Sequence, residues 1–521
     1  MTAENSAPHL VSRRRFLSLA AAVSTATTMV SLLAQPSVAA AAVVAAQPTS
    51  GALRVGVPGQ IRNLDPARIN SQEEAVLVNN IFEQLVQQGP DRVIKPQLAE
   101  SWQVSDDLKS WTLALRKGAR FQHGREVVAD DVVATVERIL DPKTAAYMRS
   151  SIDMIDTVAA VDPYTVQVNL KYGYPELLNA FSDPNLAIVP SDKIDSLSDQ
   201  PIGSGPFMLK DFVPGGSVSL VANPNYTGTP AALASVTLQL IPEAAVQTTS
   251  IKNGEVDVLF RVPFEIFDDL NSADHVVVSE VASQAWDPLV MDTRNPPFSD
   301  PKVRLAVRYA VDKDELIKLS LFGHGVKVPF PLAPENPLFP KDVPNVPVDI
   351  ARAKQLLTDA GYPDGFETTM LLGVGREQRV REGVAISEML KAINIQCNIQ
   401  QLPLDKFFAD VEFKGDFYTD GWSEPPGTDL SVYPYFHSTG SWNVGHWKND
   451  QADAILAQTR QTSSVDERRR LYGELGKLIN EDSPYMIAWV ANRASAWRDN
   501  VVGYQTHPIG WAFFQGVSLN Q

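Results

Sequence analysis

Two or three α/β lobes, with an antiparallel insertion, are the architecture this 521-residue chain predicts. Three observations lead there. Strand-like runs alternate with helical runs through most of the sequence, as in mixed sheets covered by helices. Residues 92–185 interrupt that alternation with successive short strands. About 475 residues remain once an N-terminal leader is set aside, more than one hydrophobic core accommodates.

The leader comes first. Ser12-Arg13-Arg14-Arg15-Phe16-Leu17 resembles a twin-arginine export signal and opens an apolar run over 17–34. Ser18, Ser24, Thr25, Thr27, Thr28 and Ser31 dilute that run, which barely reaches spanning length. It therefore reads as a cleaved leader rather than a membrane anchor. Small residues at Ser37, Ala39, Ala40 and Ala41 suit a signal-peptidase cut between about Ala39 and Ala46. No cysteine lies near that cut, so the product is expected free in the periplasm and not lipid-anchored.

The elements follow in order. Residues 53–57 read as a strand, with a turn at Asn63-Leu64-Asp65-Pro66. Ser71 and Glu74 have capping-box spacing, and Val78, Ile81, Phe82 and Leu85 follow at helical intervals. A strand at 111–115 precedes a helix with Val132, Val133, Val136, Ile139 and Leu140 on one face. Strands 158–161 and 165–170 form a hairpin across Asp162-Pro163, and 207–212 pairs with 217–222 across Pro214-Gly215-Gly216. Residues 236–259 make a β-α-β unit. A helix over 350–360 stops at Gly361, and a helix over 377–393 feeds the strand 395–400. Ser464 and Glu467 cap a last long helix carrying Leu471, Leu475, Leu478 and Ile479. Residues 328–347 hold seven prolines without periodicity and read as a rigid surface loop.

Charge narrows the partners. The chain carries −16, and losing residues 1–46 removes three arginines and Glu4, leaving −18. Such a surface repels phosphate backbones, which excludes nucleic acid as a partner. The single cysteine, Cys397, excludes an internal disulfide and a cysteine metal cluster, and its alternation with Ile395 and Ile399 places it on a buried strand face. Catalytic signatures are missing: no nucleophile elbow, zinc helix, P-loop or complete dinucleotide fingerprint occurs. No cofactor is expected, and an enzyme is not expected either.

Several spaced motifs run through the mature chain. They are Ala99-Glu100-Ser101-Trp102, Lys117-Gly118 with Phe121 and Gly124, and Ala129-Asp130-Asp131-Val132. Later come Pro201-Ile202-Gly203-Ser204-Gly205-Pro206-Phe207, Asn223-Pro224-Asn225-Tyr226 and Asn253-Gly254-Glu255-Val256-Asp257. Pro297 to Arg304, Ala310-Val311-Asp312, Tyr472, Asp482 and Pro484 complete the series. In this order they resemble the extracellular solute-binding proteins of family 5, which serve peptide, nickel and opine ABC importers; Thr227 stands where that family usually has tryptophan. Most of these residues read as structural. Gly203 and Gly205 suit a tight backbone passage rather than a phosphate cradle, and Asp130 and Asp131 suit a helix N-terminus.

The resemblance implies a type II periplasmic binding-protein fold of the large class. Lobe I would span 51–285 with the insertion at about 92–185, lobe II 286–484, and a return to lobe I would follow over 485–521. It implies a monomeric receptor that captures a peptide or peptide-like solute between its lobes and docks on a membrane permease. A nickel-chelate, opine or glycoside receptor is the alternative within the family, the metal case needing His437 or His446 near the cleft. A secreted hydrolase is the alternative of another class.

In peptide-binding relatives a tryptophan followed three residues later by aspartate pairs with the ligand's α-ammonium. Here that tryptophan is Trp422 and the third position is Pro425, with Glu424 one residue early and Asp429 later. Trp422, Glu424 and Asp429 are therefore the leading candidates, for stacking and for cation pairing respectively. Tyr433, Trp442 and Asn443 follow in the same region, Trp286 precedes a crossing strand, and Gln72 sits after the first strand. Arg376 is a candidate for a solute carboxylate, with Arg379 and Arg381 beside it offering the alternative of a solvated charge run.

The leader makes a direct prediction. Replacing Arg13 and Arg14 by lysine is expected to hold the precursor in the cytoplasm, because the arginine pair is a receptor-read address. Equal periplasmic yield from that double variant would assign export to the general secretory route.

Overall fold

A computed structural model describes residues 51–520, so the leader and its cut site lie outside the described residues. The described residues form one compact unit built on two large sheets, a four-stranded sheet and two two-stranded ones. The first sheet runs in the order Val276–Ala285, Trp489–Arg498, Val258–Leu259, Ala52–Val57, Ser235–Leu240, Ser217–Ala222, Phe207–Phe212, with Gly325–Lys327 also paired to Trp489–Arg498. Ala52–Val57 lies parallel to both neighbours, and its Leu53, Val55 and Val57 are buried. A strand between parallel neighbours must be apolar on both faces, as this one is from Val55 onward.

The second sheet has the order Ile395–Leu402, Phe366–Gly373, Phe417–Thr419, Pro288–Met291, Tyr485–Ile487. The insertion is a separate antiparallel sheet, Ala99–Val104, Ser110–Leu115, Thr165–Leu170, Ile155–Asp162. Its two central strands alternate strictly, sending Trp111, Leu113, Leu115, Val166, Val168 and Leu170 to the buried side. Helix Ala129–Leu140 covers that side with Val132, Val136 and Ile139. Asp131 is structural, as its position implies: it accepts from the Val128 amide at 3.0 Å and holds Arg125 at 2.6 Å.

Helix Gln72–Ile81 begins where Ser71 Oγ accepts from the Glu74 amide at 3.2 Å. Glu74 does not complete the capping box. Its carboxylate instead accepts from the amides of Arg62, Asn63 and Asn70, each at 2.9 Å, and so pins the preceding loop to the helix. At the other end of this helix the chain passes very close. A Cβ on Gly203 would overlap the Ile81 carbonyl, and one on Gly205 would lie 2.7 Å from Ile81 C. The glycines serve close approach.

Three expectations need correction. Residues 328–347 are irregular, yet they are not a surface loop: Val328, Phe330, Leu332 and Leu338 are buried in the second lobe's core. Proline removes amide donors, so this segment can be buried with fewer backbone groups to satisfy. Tyr485–Ile487 pairs with Pro288–Met291, so the return to the first sheet starts at Trp489 rather than at 485. Cys397 lies on the strand Ile395–Leu402 but is half-buried, and Ile399 is exposed, because this strand is an edge.

Two short, adjacent connections join the large sheets strand to strand, and between them in sequence Gly325–Lys327 also reaches the first sheet beside the start of Trp489–Arg498. Val276–Ala285 passes to Pro288–Met291 through Trp286 and Asp287, and Tyr485–Ile487 passes to Trp489–Arg498 through Ala488. The strands on either side of the crossings pair with each other, so the connections lie side by side. Paired short crossings of this kind let two lobes rotate about one line.

Gly203→Ala is expected to lower stability by about 1–3 kcal/mol, since the added methyl forces the helix end and the crossing chain apart. Urea denaturation measures it. An unchanged midpoint would show that the helix end can retreat at no cost.

Candidate functional site

The site is built where the second sheet meets the two crossings. Trp286 and Trp422 exchange both backbone hydrogen bonds, at 3.1 and 2.9 Å, and this bridge fixes Gly421, Trp422 and Ser423 beside the hinge. Gly421 has no room for a side chain, because Arg379 lies against it and donates to its carbonyl at 2.9 Å. The same guanidinium holds Asp287 at 3.1 Å and approaches Asp420 at 3.8 Å.

Ser423 is exposed and faces the other lobe. Gln72, the first residue of its helix, donates to Ser423 Oγ at 3.4 Å and to the Ile509 carbonyl at 3.2 Å. Arg493 in turn donates to Gln72 Oε1 at 2.8 Å and holds its amide in place. Arg376 is exposed at the start of helix Glu377–Leu390 and makes no ion pair among the described residues. Partial desolvation, with Arg379 and Arg261 close by, lowers its pKa. Arg261 of the first lobe, which adds to that lowering, is itself 3.6 Å from Glu73.

Beneath this floor the aromatic residues pack on one another. The Trp422 ring lies 4.7 Å from Trp286 and 4.6 Å from Tyr435, between centroids, and both tryptophans are largely buried in the second lobe's core. Asp420 sits at the edge of that cluster with one carboxylate oxygen unpartnered, and burial pushes its pKa up to about 6 against the pull of Arg379. Glu412 is raised to about 7 by burial, with Asp420 adding to it.

The two acids singled out from the sequence each hold an arginine. Glu424, 3% exposed, accepts from Arg92 at 2.9 and 3.2 Å and from both the amide and side chain of Gln284 at 2.7 and 3.0 Å. Asn336 extends the network, donating to Gln284 at 2.6 Å and to Thr428 at 3.0 Å. Asp429 is gripped by Arg460 at 2.8 and 3.0 Å and receives the Tyr174 hydroxyl at 3.1 Å. Glu176 of the insertion accepts from the Asp429 amide at 2.9 Å and pairs with Arg468, and Asn179 donates to the Pro426 carbonyl at 2.8 Å. These contacts form a buried seam between the insertion and the second lobe.

Of the other candidates, Tyr433 lies under the Arg460 guanidinium, 3.2 Å from ring centroid to cation. Trp442 is half-buried against Phe413, and Asn443 braces a turn through the Trp447 amide and carbonyl. His446 bonds Asp292 at 2.7 Å, and His437 stacks on Tyr433. No group of three or more metal-binding side chains comes together among the described residues. Gln72 and Ser423 are thus brought together, with Trp422 next in the chain to Ser423, while Arg376 lies in the field of Arg379, Asp287 and Asp420. Sequence reasoning missed Arg92, Tyr174, Glu176, Arg460 and Arg468, since nothing local links Arg92 to a carboxylate 332 positions away.

The Glu424–Arg92 pair makes a prediction. Removing either charge alone, in Arg92→Gln or Glu424→Leu, leaves the other buried and unpaired and is expected to cost about 3–5 kcal/mol. The double variant should lose far less than the sum, as read by urea denaturation. Additive losses would mean that the two charges are not coupled.

Comparison with known proteins agrees with this architecture. Residues 93–443 match the family described as bacterial extracellular solute-binding proteins, family 5 Middle. The glutathione-binding protein GsiB of Salmonella choleraesuis is 28% identical over 483 residues, covering 88% of this chain and 93% of that one. The periplasmic binding protein DppA of Helicobacter pylori, solved with the peptide STSA, superposes with a TM-score of 0.80 at 25% identity, covering 91% and 99% of the two chains. AgaA of Agrobacterium tumefaciens R10, solved with agropinic acid, gives 0.79 at 25% identity over 90% and 99%.

Proposed function

The chain belongs to the bacterial extracellular solute-binding proteins of family 5, and we propose that the solute it captures between its lobes is a peptide or peptide-like molecule. It has the type II periplasmic binding-protein fold and is the substrate-binding component of an ABC importer. Its relatives are binding proteins, several of them named for peptides or glutathione. Export by the twin-arginine leader, cleavage, and release as an unlipidated monomer complete the proposal.

One observation supports the residue-level reading above the rest: Gln72 meets Ser423 across the lobes at 3.4 Å, and Arg376, exposed at the start of the helix that also carries Arg379, has no ion-pair partner among the described residues. In this reading Arg376 takes a solute carboxylate, Gln72 and Ser423 meet the peptide's amide groups, and Trp422 with Trp286 backs the floor. Tyr433, Trp442 and Asn443 shape the second lobe's wall. Glu424 and Asp429 act through closure, because their pairings with Arg92 and with Tyr174 span the lobes. A solute that binds the closed form more tightly shifts the population toward it by that difference.

A thermal-shift screen against glutathione and di- to tetrapeptides tests the solute class, alongside opines and nickel–histidine. A peptide present at 100 times its Kd is expected to stabilise the protein by about 2.7 kcal/mol, and solution scattering should show a smaller radius of gyration. Arg376→Gln is expected to weaken it at least tenfold, whereas a C-terminally amidated peptide should lose nothing further in that variant. Stabilisation by an opine or a nickel chelate with no response to any peptide would replace the solute assignment.

A further inference from the structure

Buried positive charge collects at a second place, inside the second lobe and away from the Gln72–Ser423 floor. Helix Pro301–Ala310 contributes Arg308 and helix Lys313–Leu321 contributes Lys313, 4% and 6% exposed. Every acceptor they reach is neutral. Arg308 Nη2 donates to the Ser483 carbonyl, and to Ser483 Oγ and the Tyr485 carbonyl at 3.2 Å. Its Nη1 is buried and has no partner. Lys313 Nζ donates to the Val328 carbonyl at 2.9 Å and to Asn345 Oδ1 at 3.2 Å, which leaves one of three ammonium protons without an acceptor.

The carboxylates nearby are committed elsewhere. Asp482 holds Arg304 at 2.5 Å and receives Trp447 Nε1 at 2.9 Å, and Asp314 holds Lys327 at 2.5 Å. No carboxylate forms an ion pair with Arg308 or Lys313 among the described residues. Arg304 and Lys327 add positive charge to the surroundings, and Asp482, already paired with Arg304, offsets only part of it at Arg308. Both unpaired cations line one cavity of about 10 Å³, walled by Pro329, Val346, Ile479 and Asn480. That is room for one water or one small ion.

Two cations buried without a counter-charge are costly, several kcal/mol each in desolvation. Burial lowers the Lys313 pKa to about 7, with Arg308 and Lys327 adding to the effect, and lowers that of Arg308 to about 9. Either Lys313 gives up its proton or negative charge enters the cavity. We infer that the cavity between Arg308 and Lys313 binds a single small monovalent anion, chloride in the cell, accepting from Arg308 Nη1 and the free Lys313 N–H. Bound there, the anion ties together two helices, the proline-rich segment and the strand Tyr485–Ile487, and so stabilises the second lobe whatever solute occupies the cleft.

Bromide tests this with the mature, exported protein. Crystals grown in sodium bromide, with data collected at the bromine edge, should show an anomalous peak in the cavity between Arg308 and Lys313. In solution at pH 6, the thermal midpoint should rise with chloride at fixed ionic strength, gluconate making up the balance, and should saturate. Lys313→Met should remove the saturable rise. A cavity peak without anomalous signal, or equal midpoints in chloride and gluconate, would overturn the proposal in favour of water and a neutral lysine. A rise of equal size in Lys313→Met would overturn it too. If that variant fails to fold, the bromide map of the unaltered protein decides.

Discussion

A carboxylate buried as deeply as Glu424 requires a cation, and the cation comes from the other side of the cleft. Arg92 reaches it from the turn between Val86–Gln88 and Ile94–Pro96, while Gln284 reaches it from the last turn of the hinge strand. The geometry of closure depends on this point. The Asp429–Tyr174 and Glu176–Arg468 contacts lie along the same seam, and the Gln72–Ser423 floor is held between that seam and the two chain crossings. Because the attraction within a buried pair is largely offset by desolvation, the seam specifies how the lobes meet more than it drives them together. A solute with modest differential affinity can then decide the balance.

The floor itself carries an opposing term. Arg376 of the second lobe feels the like charge of Arg261 of the first, and Glu73, 3.6 Å from Arg261, offsets part of that repulsion. What remains is weakened further by exposure and salt. A satisfied seam beside an arginine without an ion-pair partner makes the equilibrium sensitive to what enters the cleft.

Much of the fold was legible in the sequence because it rests on local rules. The alternation of Thr165–Leu170 and the Ser71 cap each follow from short-range spacing, and each occurs where expected. The glycine run at 203–205 was legible as a backbone requirement, though not that its neighbour would be the end of helix Gln72–Ile81. What could not be read depends on distant partners. Glu424 and Asp429 have the composition of a ligand-facing loop, and only folding shows that Arg92 and Arg460 already occupy them. The proline segment was misjudged because proline content marks irregularity, not exposure: Phe330 and Leu332 are apolar enough to be buried without forming any regular element. Gln72 was visible as a residue, but its contact with Ser423 across the lobes required both crossings.

The strand Trp489–Arg498 bears on how the chain is made. It stands inside the first sheet, between Val276–Ala285 and Val258–Leu259, although it is made after every strand of the second sheet. Until it arrives, ten residues of Val276–Ala285 have no neighbouring strand, and roughly 200 residues of the second lobe must be synthesised in between. The lobe begun first is thus the lobe finished last. During that interval an open sheet edge is available to other nascent chains. A premature stop near residue 488 would therefore remove more than a tail, leaving the N-terminal half of the molecule without the strand that closes it.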